Sequence, residues 1–82
     1  MQELKKFINN TFKQHMVSEK DNDIIIQFKR EDNTIQSIYA QVFKLKTGEY
    51  VFNLVGSLFP DIAVEKDFNK FKKKVKEWSK YV

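Results

Sequence analysis

The sequence predicts an α+β fold in which two helices pack mainly on one face of a three-stranded antiparallel meander, in the order α-β-β-β-α. Apolar residues recur at helical spacing near both ends of the chain, and strand-like segments lie between them. Eight Phe, three Tyr and one Trp in 82 residues supply the apolar area that a small core needs. A chain of this length forms one domain, which we place at residues 1–82.

The first helix is predicted over residues 2–16. Its apolar stripe follows three- and four-residue steps and consists of Leu4, Phe7, Ile8, Thr11, Phe12 and His15. The polar segment "SEKDND" breaks this pattern, so we expect a loop there.

Three strands are predicted next, in "DIIIQFKR", "TIQSIYAQVFKLK" and "EYVFNLV". Asp32-Asn33 and Thr47-Gly48 are predicted as two-residue hairpin loops, because Asn and Gly tolerate positive φ. Both loops place the same face of the middle strand toward the core. That face would carry Ile24, Ile26, Phe28, Ile35, Tyr39, Phe43, Leu45, Tyr50, Phe52 and Leu54.

A final helix is predicted to begin near Asp61, a candidate N-cap after Pro60, and to run to the end of the chain. Steps of three and four residues separate its apolar positions, which are Val64, Phe68, Phe71, Val75, Trp78 and Val82.

The final helix also concentrates positive charge. Residues 65–82 hold seven lysines and three acids, a net +4, whereas residues 1–64 hold eight basic and eight acidic side chains. We predict an anion- or partner-binding face opposite the apolar stripe, formed by Lys66, Lys70, Lys73, Lys76 and Lys80. A merely solvated face is the alternative, but like-charged pairs at four-residue spacing are unfavourable and argue for an anionic partner.

The helix, three strands and lysine-rich last helix resemble the double-stranded RNA-binding domain in topology. That family carries a basic cluster at the start of its last helix, where this chain has Glu65 and Asp67. "REDNT" replaces the family's glycine-proline-histidine loop between the first two strands. The resemblance therefore concerns topology, and RNA binding is not carried over from it.

The second face of the predicted sheet is a candidate interface. It places apolar side chains at the centre of a polar rim, a pattern typical of contact surfaces. The residues predicted for it are Ile25, Ile38, Val42, Val51 and Val55. A helix crossing to this side is the alternative. A homodimer through this face and strand addition at a free sheet edge are further options.

No catalytic or metal-binding set can be assembled from the sequence, so we expect neither an enzyme nor a cofactor. His15 is the only histidine, cysteine is absent, and the two glycines form no phosphate-cradling loop. No signal segment or membrane span is apparent, which predicts a cytoplasmic protein.

The leading hypothesis is a small non-enzymatic binding protein that occupies an acidic surface of a protein or nucleoprotein partner. By size and class alone it resembles modulators encoded by phages and mobile elements, such as anti-CRISPR inhibitors. A module that binds nucleic-acid phosphates through the basic helix is the alternative.

Overall fold

The computed structural model describes residues 2–56 and 61–80. In these ranges the chain forms a sheet that is covered by two helices. The elements are α1 (Gln2–Thr11), β1 (Met16–Lys20), β2 (Asp23–Lys29), β3 (Ile35–Lys44), β4 (Tyr50–Val55), β5 (Asp61–Glu65) and α2 (Phe68–Ser79). Within the described residues the strands form one antiparallel sheet in the order β1-β2-β3-β4-β5.

The α+β class is confirmed, but the predicted three-stranded meander is wrong, since the sheet has five strands within the described ranges. The chain has one more strand before the predicted meander and one more after it. The topological resemblance to the double-stranded RNA-binding domain therefore does not hold.

The first additional strand, β1, occupies much of the segment predicted as a loop. Helix α1 ends at Thr11, and residues 12–15 turn the chain back onto the sheet. Strand β1 then pairs with β2, with Val17 opposite Ile26 and Glu19 opposite Ile24. Asp21 adopts φ 57° in the tight turn between these two strands, a conformation that Asp tolerates better than most residues.

The second additional strand, β5, occupies the predicted start of the last helix. Val51 pairs with Val64 and Phe52 with Ala63, so Val64 is a strand residue and not the first apolar position of a helix. The N-cap of α2 is Asp67, not Asp61. A carboxylate oxygen of Asp67 accepts hydrogen bonds from the backbone N–H groups of Asn69 at 2.8 Å and Lys70 at 3.3 Å.

The middle strand β3 presents the opposite face from the one predicted. Arg30 N–H donates to Thr34 O at 2.8 Å, which closes a three-residue loop with Asn33 at φ 69°. Leu45 N–H donates to Glu49 O at 2.8 Å, which closes a second three-residue loop with Gly48 at φ 102°. Each loop is one residue longer than predicted, and a shift of one residue turns every side chain of the strand over.

The hydrophobic core lies between the sheet and the two helices, which pack on the same face. The core-facing residues predicted for β2 and β4 are confirmed. Strand β3 instead contributes Ala40 and Val42 to the core, and Ile38 packs at its margin. Ile35 and Leu45 are exposed instead, and Tyr39 and Phe43 belong to the other face. The core consists of Leu4, Ile8, Phe12, Ile24, Ile26, Phe28, Ala40, Val42, Phe52, Ala63, Phe71 and Val75.

Candidate anion-binding surface on the helical layer

Helix α2 is oriented by the apolar side chains that it buries. Phe71 and Val75 are fully buried, and Phe68 and Trp78 pack against the core at its margin. Trp78 lies 5.2 Å from Phe52 between ring centroids, which fixes the C-terminal half of the helix over β4. At 3.6 residues per turn, the residues between these anchors must project toward solvent.

The structure divides the lysines of this region into two groups. Lys74 Nζ lies 2.9 Å from a carboxylate oxygen of Glu65 on β5, and Lys66 Nζ lies 4.0 Å from one of Glu49. The ammonium of Lys72 lies 4.7 Å from the ring centroid of Phe68. These three lysines therefore have partners within the fold. Lys66 precedes the N-cap, so it does not belong to the helix face predicted for it.

The second group lacks such partners. Among the side chains that the structure describes, no carboxylate forms an ion pair with Lys70, Lys73, Lys76 or Lys80, and all four lysines are exposed. We call these four residues the lysine ridge. They follow one another at steps of three, three and four residues along one side of α2, over about 15 Å of helix.

Helix α1 lies beside α2 and adds positive charge to the same side of the molecule. The rings of Phe7 and Phe68 meet edge to face at 6.1 Å, which joins the helices. Lys6 lines a groove with Lys72 at one end of this contact. At the other end, Lys13 lines a groove with Ser79. Sequence reasoning assigned no role to Lys6 or Lys13, although two helices predicted on one sheet face implied their proximity to α2.

We define the helical layer as residues 2–13 and 67–80. It carries nine lysines and three acids, a net charge of +6. The rest of the chain carries six basic and eight acidic side chains, a net charge of −2. The molecule is therefore electrically polarised, with its positive side on the helices.

The exposed surface of the helical layer is polar as well as basic. In the described part of the chain, the large hydrophobic side chains that remain exposed all lie in strands or their connections. They are Met16, Ile35, Leu45, Ile62 and Val64. The basic surface thus has no apolar centre among the described residues.

The open face of the sheet, opposite the helices, holds part of the predicted second interface. Ile25, Val51 and Val55 belong to this face, and Val64 is half exposed beside Val51. The placement of Ile38 and Val42 is wrong, since both lie on the helix-covered face and Val42 is fully buried. The one-residue shift of β3 accounts for both errors, and the role of this face as an interface stays a prediction.

His15 lies in the turn after α1, not on the helix itself. Its Nδ1 accepts a hydrogen bond from the backbone N–H of Lys29 at 2.9 Å, and its ring meets that of Phe28 edge to face at 5.2 Å. Burial lowers the pKa of His15, and the nearby positive charge of Lys29 lowers it further. The histidine therefore acts as a neutral acceptor that connects the end of α1 to β2.

Across residues 2–56 and 61–80, no group of three His, Cys, Asp or Glu side chains is placed to hold a metal ion. No helix in these ranges is long and apolar enough to cross a membrane.

Comparison of the chain with family models, with curated proteins and with solved structures gives no match in any of the three.

Proposed function

We propose that this protein is a non-enzymatic binding protein whose helical layer occupies an anionic surface of a macromolecular partner. A nucleic acid, free or within a nucleoprotein complex, fits this surface best. The observation that carries the proposal is the lysine ridge, four exposed lysines without ion-pair partners among the described side chains.

The arrangement of the lysine ridge lowers the free energy of unfolding of the free protein. Lys70–Lys73, Lys73–Lys76 and Lys76–Lys80 are like-charged neighbours, and each such pair costs about 0.2–0.5 kcal/mol on a helix surface. Lys70 also lies in the first turn of α2, where the helix dipole favours acids and where the helix has none. An anionic partner would offset both costs, because it replaces lysine–lysine repulsion with attraction.

The chemistry of the helical layer favours phosphates over an acidic protein surface. Protein interfaces are built around buried apolar and aromatic anchors and are depleted in lysine. The described part of the helical layer exposes no large hydrophobic side chain, and its charged side chains are predominantly lysines. Binding to a phosphate backbone needs no apolar centre, since release of counterions drives it.

An acidic protein surface is the second candidate partner, and the open face of the sheet favours it. Val64 and Met16 are exposed there, and Ile25 and Val55 are partly buried between them. A nucleoprotein partner could engage both surfaces of the molecule, with the helical layer on its phosphates. The hypothesis of a phage-encoded modulator or inhibitor remains compatible with this arrangement and rests on size and class.

Titration of the protein with labelled duplex DNA, duplex RNA and poly-glutamate at about 50 mM and 200 mM salt tests the proposal. The variant Lys70→Glu/Lys73→Glu reverses two charges of the ridge. Lys20→Glu/Lys46→Glu makes the same charge change at two exposed positions, the end of β1 and the loop between β3 and β4, and serves as the control. We expect salt-dependent nucleic-acid binding that the ridge variant loses by roughly tenfold or more and the control retains.

Three results would count against the proposal in whole or in part. Absence of binding to all three probes at the lower salt concentration would refute an anion-binding helical layer. Equal losses in the ridge variant and the control would show that net charge, not the ridge, drives the binding. Binding to poly-glutamate but to neither duplex would overturn the preference for phosphates and favour an acidic protein surface, the second candidate partner.

A further inference from the structure

We infer that the ligand of the helical layer is a double helix, held by its two phosphate backbones through lysines of both α1 and α2. This inference rests on the proposed function and adds the class of nucleic acid and a second row of contacts. It begins from two observations: Lys6 and Lys13 lie at the two ends of the junction between the helices, and no aromatic ring in the described part of the layer is fully exposed.

The second row of lysines consists of Lys6 and Lys13, both exposed. Each lies at one end of the junction between the helices, Lys6 in the groove with Phe68 and Lys72, and Lys13 in the groove with Ser79. The row therefore runs alongside the lysine ridge. Lys5 does not belong to it, because its ammonium forms an ion pair with Glu19 of β1 at 3.0 Å.

The separation expected for lysine rows on two packed helices suits a duplex. Packed helices have axes about 8–10 Å apart, and lysine side chains are long and flexible enough to widen or narrow the separation of their ammonium groups. The grooves of B-DNA are about 6 Å and 12 Å wide between backbones. Two lysine rows at this separation can therefore contact the phosphates on both sides of one groove.

The aromatic side chains of the helices argue against a single strand as the ligand. Proteins that bind single strands stack bases on exposed aromatic rings. In the described part of this chain, Phe12 and Phe71 are buried, and Phe7, Phe68 and Trp78 pack against the core. Every described aromatic ring of the helical layer is therefore buried or partly buried, so the layer offers charge to a backbone and no fully exposed ring to an unstacked base.

The residue types of the layer also predict weak dependence on sequence. It contains no arginine, the residue that most often reads guanine in the major groove. Glu3 and Glu77 are acids on the same layer, and Glu3 lines the groove with Lys6. These two carboxylates reduce the positive charge at their ends of the surface without reversing it.

The test compares a mixed-sequence duplex of about 20 base pairs with each of its single strands, for DNA and for RNA. Fluorescence anisotropy at about 50 mM and 200 mM salt gives the affinity and its salt dependence. The decisive variant, called the α1 variant, is Lys6→Glu/Lys13→Glu, with Lys6 on α1 and Lys13 in the turn after it. Lys73→Glu/Lys76→Glu on α2 reports on the proposed function, and Lys20→Glu/Lys46→Glu is the control. Circular dichroism and urea unfolding confirm that each variant is folded.

We expect the wild-type protein to bind duplexes at least about tenfold more tightly than single strands. We also expect the α1 and α2 variants each to lose roughly tenfold in affinity with a shallower salt dependence, while the control changes little. Comparison of the affinities for duplex DNA and duplex RNA then shows which of the two the protein prefers.

The two proposals fail in different ways. If the α1 variant binds duplex as well as wild type while the α2 variant does not, the second row is refuted and the proposed function stands. Single strands that bind as tightly as duplexes would refute the double helix as the ligand. If neither folded variant differs from wild type, the proposed function fails and the inference fails with it.

Discussion

His15 and Lys29 are joined by a hydrogen bond in which the Lys29 backbone N–H donates to His15 Nδ1 at 2.9 Å. The bond connects the turn after α1 to the last residue of β2, next to an irregularity in the β2–β3 pairing. The ring of His15 also lies 6.2 Å from that of Phe12 and 5.2 Å from that of Phe28. Protonation of Nδ1 would remove the acceptor and place a positive charge beside Phe28.

This contact predicts that stability depends on pH in the mildly acidic range. Burial lowers the pKa of His15 in the folded protein, whereas in the unfolded chain it is about 6.5. The unfolded state therefore binds a proton first as the pH falls. The stability contributed by neutral His15 is fully present above the pKa of the unfolded chain. It is lost as the pH falls through the lower pKa of the folded protein. Urea unfolding at several values between about pH 7.5 and 5 should show the decline.

The variant His15→Asn provides the control for this prediction. Its Oδ1 can accept the Lys29 hydrogen bond but does not titrate, and the chain has no other histidine. We expect a flatter stability profile than that of wild type between about pH 7 and 5. An unchanged decline in His15→Asn would assign the pH dependence to other groups.

The register of β3 can be tested with two matched substitutions. Val42→Thr replaces a fully buried methyl group with a hydroxyl and should cost about 1–3 kcal/mol in free energy of unfolding. Val55→Thr makes the same change on the partly exposed open face and should cost under about 0.5 kcal/mol. Chemical denaturation measures both values. A cost for Val42→Thr as small as that for Val55→Thr would support the register predicted from the sequence, which placed both residues on the second face.

The misplacement of β3 shows how two turn predictions can agree and both be wrong. Each loop was predicted with two residues and has three, with Asn33 or Gly48 at its last position and positive φ. The two errors turn β3 over against both neighbours, and the irregularity between Gln27 and Lys29 moves the β2–β3 pairing by a further two residues, which leaves the face of β3 unchanged. Each loop error turns the next strand over, and two such errors separate β2 from β4. Both strands therefore present the faces that were predicted for them. Agreement between the loops therefore did not test their length.

Two strands could not be predicted because their local patterns favour other structures. Strand β1, "MVSEK", is a largely exposed edge strand, and its polar side chains are typical of a loop. In β5, Val64 lies four residues before Phe68, so the helical spacing of α2 continues into the strand. Only pairing with β4 determines that Asp61–Glu65 is extended.

The candidate surface was predictable in its sign but not in its extent. Lysine spacing predicted Lys70, Lys73, Lys76 and Lys80 on one face of a helix, which the structure describes as exposed. Because a sequence carries no distances between separate elements, it did not reveal that Glu49 lies near Lys66, one of the predicted lysines, or that Glu65 lies near Lys74. For the same reason Lys6 and Lys13 were not connected with α2.

The N-cap of α2 provides a further prediction. Because the Asp67 side chain accepts hydrogen bonds from the backbone of Asn69 and Lys70, Asp67→Ala should destabilise the protein by about 1 kcal/mol. Asp67→Ser retains an acceptor and should recover most of this loss. Urea unfolding of the two variants measures the difference. Equal stability in Asp67→Ala and wild type would place the start of the helix elsewhere.

The final prediction separates stability from binding at Lys70. Lys70→Glu places an acid in the first turn of α2, three residues after the Asp67 cap, where it can complete a capping box. The new carboxylate would face Lys73 and Lys74 at three- and four-residue spacing and would complement the helix dipole. We expect the free energy of unfolding to rise by about 0.5–1 kcal/mol, while affinity for duplex falls.

Lys70→Gln is the matched control, since it removes the charge without adding an acid and should give intermediate values for both properties. Urea unfolding at low salt and anisotropy titration on the same preparations make the comparison. A more stable Lys70→Glu that binds duplex as well as wild type would mean that Lys70 lies outside the binding surface. A less stable Lys70→Glu would contradict the argument that the ridge lowers the stability of the free protein. Opposite changes in stability and affinity would show that Lys70 serves binding at the expense of the fold.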